Sequence, residues 1–216
     1  MAIDKATIIN MALTDPLGVG PVFSTDDDSD LAEMIEYVWP QVVDRTFGMH
    51  DWHWAQLTRR NNRRAEEPEN GWRYGFDLPG GRIGNPLKYL IDPRQRVPLR
   101  DFALEGGVLY CDHPDTWSCC KFYVDPDVWP PEWRGGFIIA LGAYLAVPVW
   151  QDKDLRNDLL VEAFGTASRE GTGGLFGRLM AQDKASAPVG SPLAAEEPLT
   201  NARFSTADPY SWHGRF

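Results

Sequence analysis

The 216-residue chain has little of what would mark several protein classes. It has three cysteines, Cys111, Cys119 and Cys120, an odd and small number that excludes a disulfide-framed scaffold and fits reduced thiols in a cytoplasm. It is short of positive charge: 21 Lys and Arg stand against 31 Asp and Glu, a net charge of −10. That balance excludes a broad basic face for gripping nucleic acid and leaves room only for a local patch. The longest apolar run, Phe137 to Val149, contains Pro148 and falls short of the ~20 residues that cross a bilayer. Met1-Ala2-Ile3-Asp4 lacks the cationic and apolar pattern of an export signal, so no membrane association is expected.

What is present points to one sizeable domain. Area scaling lets a chain of this length bury about 70% of its unfolded surface, enough for a core without disulfides or metals. Twenty glycines and 17 prolines make about one residue in six, above the average of about one in eight, and imply many turns. Asp4 can cap a first helix over about 4–14, which Asp15-Pro16 should end. Asp26 to Asp30 piles negative charge before a second helix over about 30–48. Its stripe is Leu31, Met34, Ile35, Val38, Val42 and Val43, with Asp30 and Glu33 at capping-box spacing. Pro40 should kink this helix rather than end it.

Between about 54 and 124 the texture is that of strands. Trp72 to Leu78 alternates large apolar and other residues, Lys88 to Ile91 is a short strand, and Phe102 to Tyr110 reads as a hairpin around Gly106-Gly107. Trp117 to Val124 closes the set. Helices are expected again over about 131–150, apolar nearly all round, and over about 152–181, with Leu155, Leu159, Ala163 and Ala167 on one face and Gly171, Gly173 and Gly174 as a break or bend. The expected fold class is therefore mainly α: a helical bundle of about four helices, with a small inserted antiparallel sheet, in a domain over 1–183. The expected core is Ile8, Leu31, Ile35, Val38, Val42, Phe137, Ile138, Leu141, Leu145, Leu155 and Leu159. Residues 184–216 are rich in Ala, Pro, Ser and Gly and read as an extended C-terminal arm, with aromatic residues returning at its end.

The candidate sites are few. Cys111, His113, Cys119 and Cys120 have the residue types of a zinc site but not its paired spacing, and adjacent strand residues point to opposite faces, so thiol packing is the preferred reading. His50 and His53 flank Asp51 at a spacing that could share a metal, yet no further ligand stands nearby in sequence. No metal or cofactor is expected. Arg59, Arg60, Arg63 and Arg64 form a compact cluster, read as a loop, with Asn61 and Asn62 between and Glu66, Glu67 and Glu69 following. Solvation, a carboxylate-bearing protein partner and nucleic acid all remain open for it, since guanidinium groups bind carboxylate and phosphate in a fork. No nucleophile elbow, phosphate-cradling loop or Cys/His dyad occurs, so the chain reads as no enzyme. A monomeric binding module, with Trp52, Trp54, Trp72 and Tyr74 lining a pocket for a small ligand or protein segment, is the alternative.

Several segments carry a resemblance: Ile9-Asn10-Met11-Ala12-Leu13, Asp51-Trp52-His53-Trp54-Ala55, Gly71 to Pro79, and Tyr123-Val124-Asp125-Pro126 leading into the late helices. In this order and spacing, over about 3–183, they resemble the phage head–tail adaptor family, the tail tubular protein A-like or head-completion connectors. Trp52-His53-Trp54-Ala55 departs from the Trp-Asn-Phe-Ala often found in that family while keeping an aromatic plug. The resemblance implies a structural virion protein at the head–tail junction, made in the host bacterial cytoplasm. It implies a homo-oligomeric ring, typically of twelve copies, that binds the portal protein and a downstream tail, nozzle or stopper protein and through which DNA only passes. It also implies that the C-terminal arm reaches the portal, where Phe204, Tyr210, Trp212 and Phe216 are the expected anchors and Arg215 adds charge at the rim. Arg59, Arg60, Arg63 and Arg64 are then expected to meet a neighbouring subunit or tail protein.

Overall fold

A computed structural model describes residues 3–24, 29–94, 97–166 and 173–186. The anchors Phe204, Tyr210, Trp212, Arg215 and Phe216 lie outside the described residues. Five α-helices are present: α1 (Lys5–Thr14), α2 (Asp30–Gly48), α3 (Pro131–Trp150), α4 (Lys153–Phe164) and α5 (Gly174–Ser186). Between α2 and α3 lie eight strands: β1 (Gln56–Arg60), β2 (Asn62–Arg63), β3 (Tyr74–Asp77), β4 (Arg82–Asp92), β5 (Val97–Pro98), β6 (Ala103–Glu105), β7 (Val108–Cys111) and β8 (Trp117–Phe122).

These elements correct the mainly α expectation. The strands form two four-stranded antiparallel sheets, ordered β1-β8-β4-β5 and β2-β3-β7-β6, and 47% of the described residues are helical against 22% in strands. The fold is mixed α/β, with five helices where about four were expected. The expected strands recur as β3, the second half of β4, β6, β7 and β8, but the extent of the sheets was underestimated because the remaining strands carry little apolar signal. β1 is Gln-Leu-Thr-Arg-Arg, an edge strand with four exposed residues. β4 runs eleven residues, but Gly84 (φ 69°) and Pro86 sit where its pairing with β8 shifts register between Ile83 and Lys88, so only its second half resembles a strand. The expected hairpin is present as β6 and β7. Its two-residue turn, Gly106-Gly107, has φ of 58° and 81°, the positive values a primed turn requires.

The helices follow their caps. The Asp4 side chain accepts from Thr7 N at 2.8 Å at the start of α1. Ser29, rather than Asp30, caps α2, its Oγ accepting from Ala32 N, while Asp30 and Glu33 fall in the first turn. Pro40 stays inside α2 on an exposed position, where water can satisfy the Glu36 carbonyl that proline leaves unbonded. The helix expected over 152–181, with a break or bend at Gly171, Gly173 and Gly174, is two helices. Gly165 (φ 80°) ends α4 and Gly174 (φ 65°) begins α5, both in left-handed conformations that glycine adopts without strain.

α3 is long and apolar enough to cross a membrane, with a mean hydropathy of 1.3 over its window. Here it forms the centre of the helical core, with Trp133, Phe137, Ala140, Leu141, Leu145 and Ala146 buried beside residues of the other four helices. Gly142 lets α3 approach Pro16 closely, since a Cβ there would stand 2.5 Å from the proline Cγ. Of the expected core, Ile8, Ile35, Val42, Phe137, Leu141, Leu145 and Leu159 are buried; Leu31, Val38, Ile138 and Leu155 are partly buried against it. Aromatic rings dominate this core. Among the described residues Trp133 sits amid six of them, with centroids 4.8 Å from Trp129, 5.0 Å from Phe47, 5.1 Å from Trp54, 5.6 Å from Phe137, 6.0 Å from Phe176 and 6.1 Å from Trp52. A second, smaller core of Phe76, Leu78, Leu99, Leu109 and Cys111 serves the sheets.

At the seam between helices and sheets, the Tyr123 hydroxyl donates to Asp44. Burial and that bond push the phenol up to about 12 from an ordinary 10.0. A raised folded-state value means that the bond stabilises the protein fully below pH 10 and less as pH rises through 12. Chemical denaturation across pH 9–12 should therefore show a loss of stability that Tyr123→Phe lacks; equal pH profiles would contradict this.

Candidate functional site

The four arginines do not form a loop. Arg59 and Arg60 end β1, Arg63 is in β2, and Arg64 follows it. Asn61 makes the break between them. It is buried, its N–H donates to Thr116 O at 2.9 Å and its Nδ2 to Thr116 Oγ1 at 2.9 Å, and there the chain steps from the first sheet to the second. β1 and β2 are both edge strands, so the arginines flank an open strand edge. This corrects the loop reading and gives its reason: each strand is completed by partners far along the chain, β8 for β1 and β3 for β2.

The arginines divide into two kinds. Arg60 pairs with Asp115. Arg64 pairs with Asp77, at 2.7 Å from Nη2 and 2.8 Å from Nε, and this bond lifts the guanidinium above its ordinary value. Arg59 instead lies over the Phe122 ring at 4.6 Å, and Arg63 over the Tyr74 ring at 3.9 Å. Stacking fixes a guanidinium by its face and leaves its in-plane donors available. Among the described residues neither Arg59 nor Arg63 makes an ion pair. Glu66, Glu67 and Glu69, next in sequence, are not the internal partners of the cluster; Asp77 and Asp115 are. Glu66, Glu67 and Glu69 line a hollow of about 460 Å³ with Glu105, over Gly75 and Tyr110.

The histidine pair is brought together, but not around Asp51. His50 Nε2 and His53 Nδ1 lie 2.9 and 2.8 Å from the same oxygen, Oδ2 of Asp183. Asp51 pairs with the nearly buried Lys121 at 3.0 Å, and Lys121 also donates to the His50 carbonyl. The cluster ties the last turns of α5 to the segment after α2. Sequence reading missed Asp183 because it stands 130 residues from His53, with no local spacing to betray it.

The cysteines do not converge. Cys111 belongs to one sheet, while Cys119 and Cys120 lie on opposite faces of β8 in the other. Burial pushes the Cys111 and Cys120 thiols up, which keeps them protonated and unreactive at neutral pH. Among the described residues no three His, Cys, Asp or Glu side chains are set to hold a metal. The aromatic residues of the binding-module reading also separate: Trp52 and Trp54 stand in the helical core, while Tyr74 packs on the sheet core. The surface that combines exposure, fixed geometry and unspent charge is thus the β1–β2 edge. No protein-family model and no curated protein matches this chain.

Proposed function

We propose that this chain is a structural, non-enzymatic head–tail adaptor of a phage virion. Copies assemble as a ring, of about twelve by the family resemblance, between the portal and the tail, and extend the channel through which DNA passes. The observation that carries this reading is the order of elements. Two helices, α1 and α2, are followed by a complete β insertion over 56–122, then by a turn at Asp125-Pro126 into the buried helix α3 and its followers. That is the order in which the resembling segments occur. The acidic balance favours a channel that repels phosphate rather than holds it. The exposed β1–β2 edge, with two arginines held but not ion-paired, suits contact with another protein.

The C-terminal arm, 184–216, is the portal-binding element in this reading, with Phe204, Tyr210, Trp212 and Phe216 as anchors and Arg215 at the rim. A chain truncated after Asp183 should keep near-normal melting and lose portal binding. Unchanged affinity for the portal would remove the arm from this role.

A further inference from the structure

We infer that the stacked arginines of the β1–β2 edge dock into the carboxylate hollow of a second copy of this chain, copy after copy. This inference rests on the ring reading and names the contact that would build the ring.

The second sheet presents two distinct faces. Side chains alternate along a strand, and directly paired residues share a face. Tyr74 and Phe76 therefore lie on one face, with Cys111 and Leu109 opposite them, and this face packs on the sheet core. Arg63 is paired with Phe76 and stacks on Tyr74, so it belongs to that face as well. Gly75 and Asp77 lie on the other face, with Tyr110 and Val108; Ala103 and Glu105 extend it across β6. The hollow stands on this second face. Its walls include Glu66, Glu67, Glu69 and Glu105, and the Tyr110 ring lies across Gly75, where a Cβ would meet it at 3.1 Å. Arg63 thus points away from the hollow of its own chain. Only another copy can bring it there.

Charge favours the same pairing. Four carboxylates face the hollow, and the one cation on its wall among the described residues, Arg64, is committed to Asp77. Asn70 donates to Glu105 at 3.1 Å and offers no charge. On the edge, Arg59 and Arg63 are positioned by rings and carry no carboxylate, whereas Arg60 and Arg64 are already paired. Leu57, exposed on β1, adds apolar area beside them. The edge and the hollow are different patches, and a contact between different patches can repeat from copy to copy, as a ring requires.

A charge exchange tests the docking. One variant carries Arg59→Glu and Arg63→Glu; a second carries Glu66→Lys, Glu67→Lys and Glu69→Lys on the exposed hollow rim. Both sets are solvent-facing, and thermal melting confirms that each variant folds. Light scattering should show that each alone needs on the order of tenfold higher concentration than the natural chain to assemble, from about two exposed charge pairs per contact. An equimolar mixture should recover assembly, because each variant then offers a patch complementary to the other. Assembly unchanged in both variants, or lost in both and not recovered on mixing, overturns the docking and leaves the ring reading standing. A natural chain that never exceeds the mass of one copy, neither alone nor with the portal, overturns the ring reading itself.

Discussion

Replacing Trp133 with alanine is expected to cost about 3–5 kcal/mol, the range for removing a large buried aromatic side chain. Trp133 is 1% exposed and touches rings contributed by α2, by the segment after it, by the turn before α3, by α3 itself and by α5. Among the described residues its Nε1 finds no acceptor, so the loss is one of packing and edge-to-face contact rather than of a hydrogen bond. The neighbouring side chains come from separate elements and cannot collapse together into the space left behind. Since a domain of this size is stable by about 5–15 kcal/mol, the variant should melt far below the natural protein or fail to fold. Denaturant titration measures this. A loss below about 1 kcal/mol would show that the aromatic cluster does not hold the helices together.

Gly174→Ala should be nearly as damaging for a different reason. Gly174 has φ 65°, and a Cβ there would stand 2.6 Å from the Glu162 carbonyl oxygen, 2.6 Å from Gly165 N and 2.7 Å from the Ala163 carbonyl oxygen. These are backbone atoms of the α4 terminus, which no rotamer change can move aside. The left-handed conformation costs alanine about 1–2 kcal/mol, and overpacking adds about 1–3 kcal/mol. α5 carries Phe176, which stacks on Phe164 at 5.3 Å, and Asp183, which meets both histidines. Displacing its start should disturb both contacts. Melting temperature and tryptophan fluorescence should shift together; an unchanged melting curve would refute the close approach of α4 and α5.

The parts of this fold that were legible in the sequence are those whose signal is local. α2 could be read because its apolar residues recur within one helix and a polar cap precedes them; only the capping residue, Ser29 for Asp30, differed. The Gly106-Gly107 hairpin could be read because turn chemistry sits between its own strands. What escaped depends on distant partners. β1 has one apolar residue and becomes a strand because β8 lies beside it with register Leu57 to Cys120. The glycines Gly171, Gly173 and Gly174 were legible as a break or bend, but not the early end of α4 at Gly165, because in the sequence the apolar face runs on to Ala167. The role of each arginine also came from elsewhere: Phe122, Asp115, Tyr74 and Asp77 decide which are stacked and which are paired. A cluster of four like residues thus contains two structural and two available groups, a distinction that spacing alone does not carry.

The central claim, that this chain builds a ring at the head–tail junction, is tested most directly by electron microscopy of the purified protein, alone and mixed with its portal. The account predicts rings with a central channel and one copy of the chain repeated around it, formed by the protein itself or on the portal. Single, unassembled particles in both samples, at any concentration that stays soluble, would contradict it.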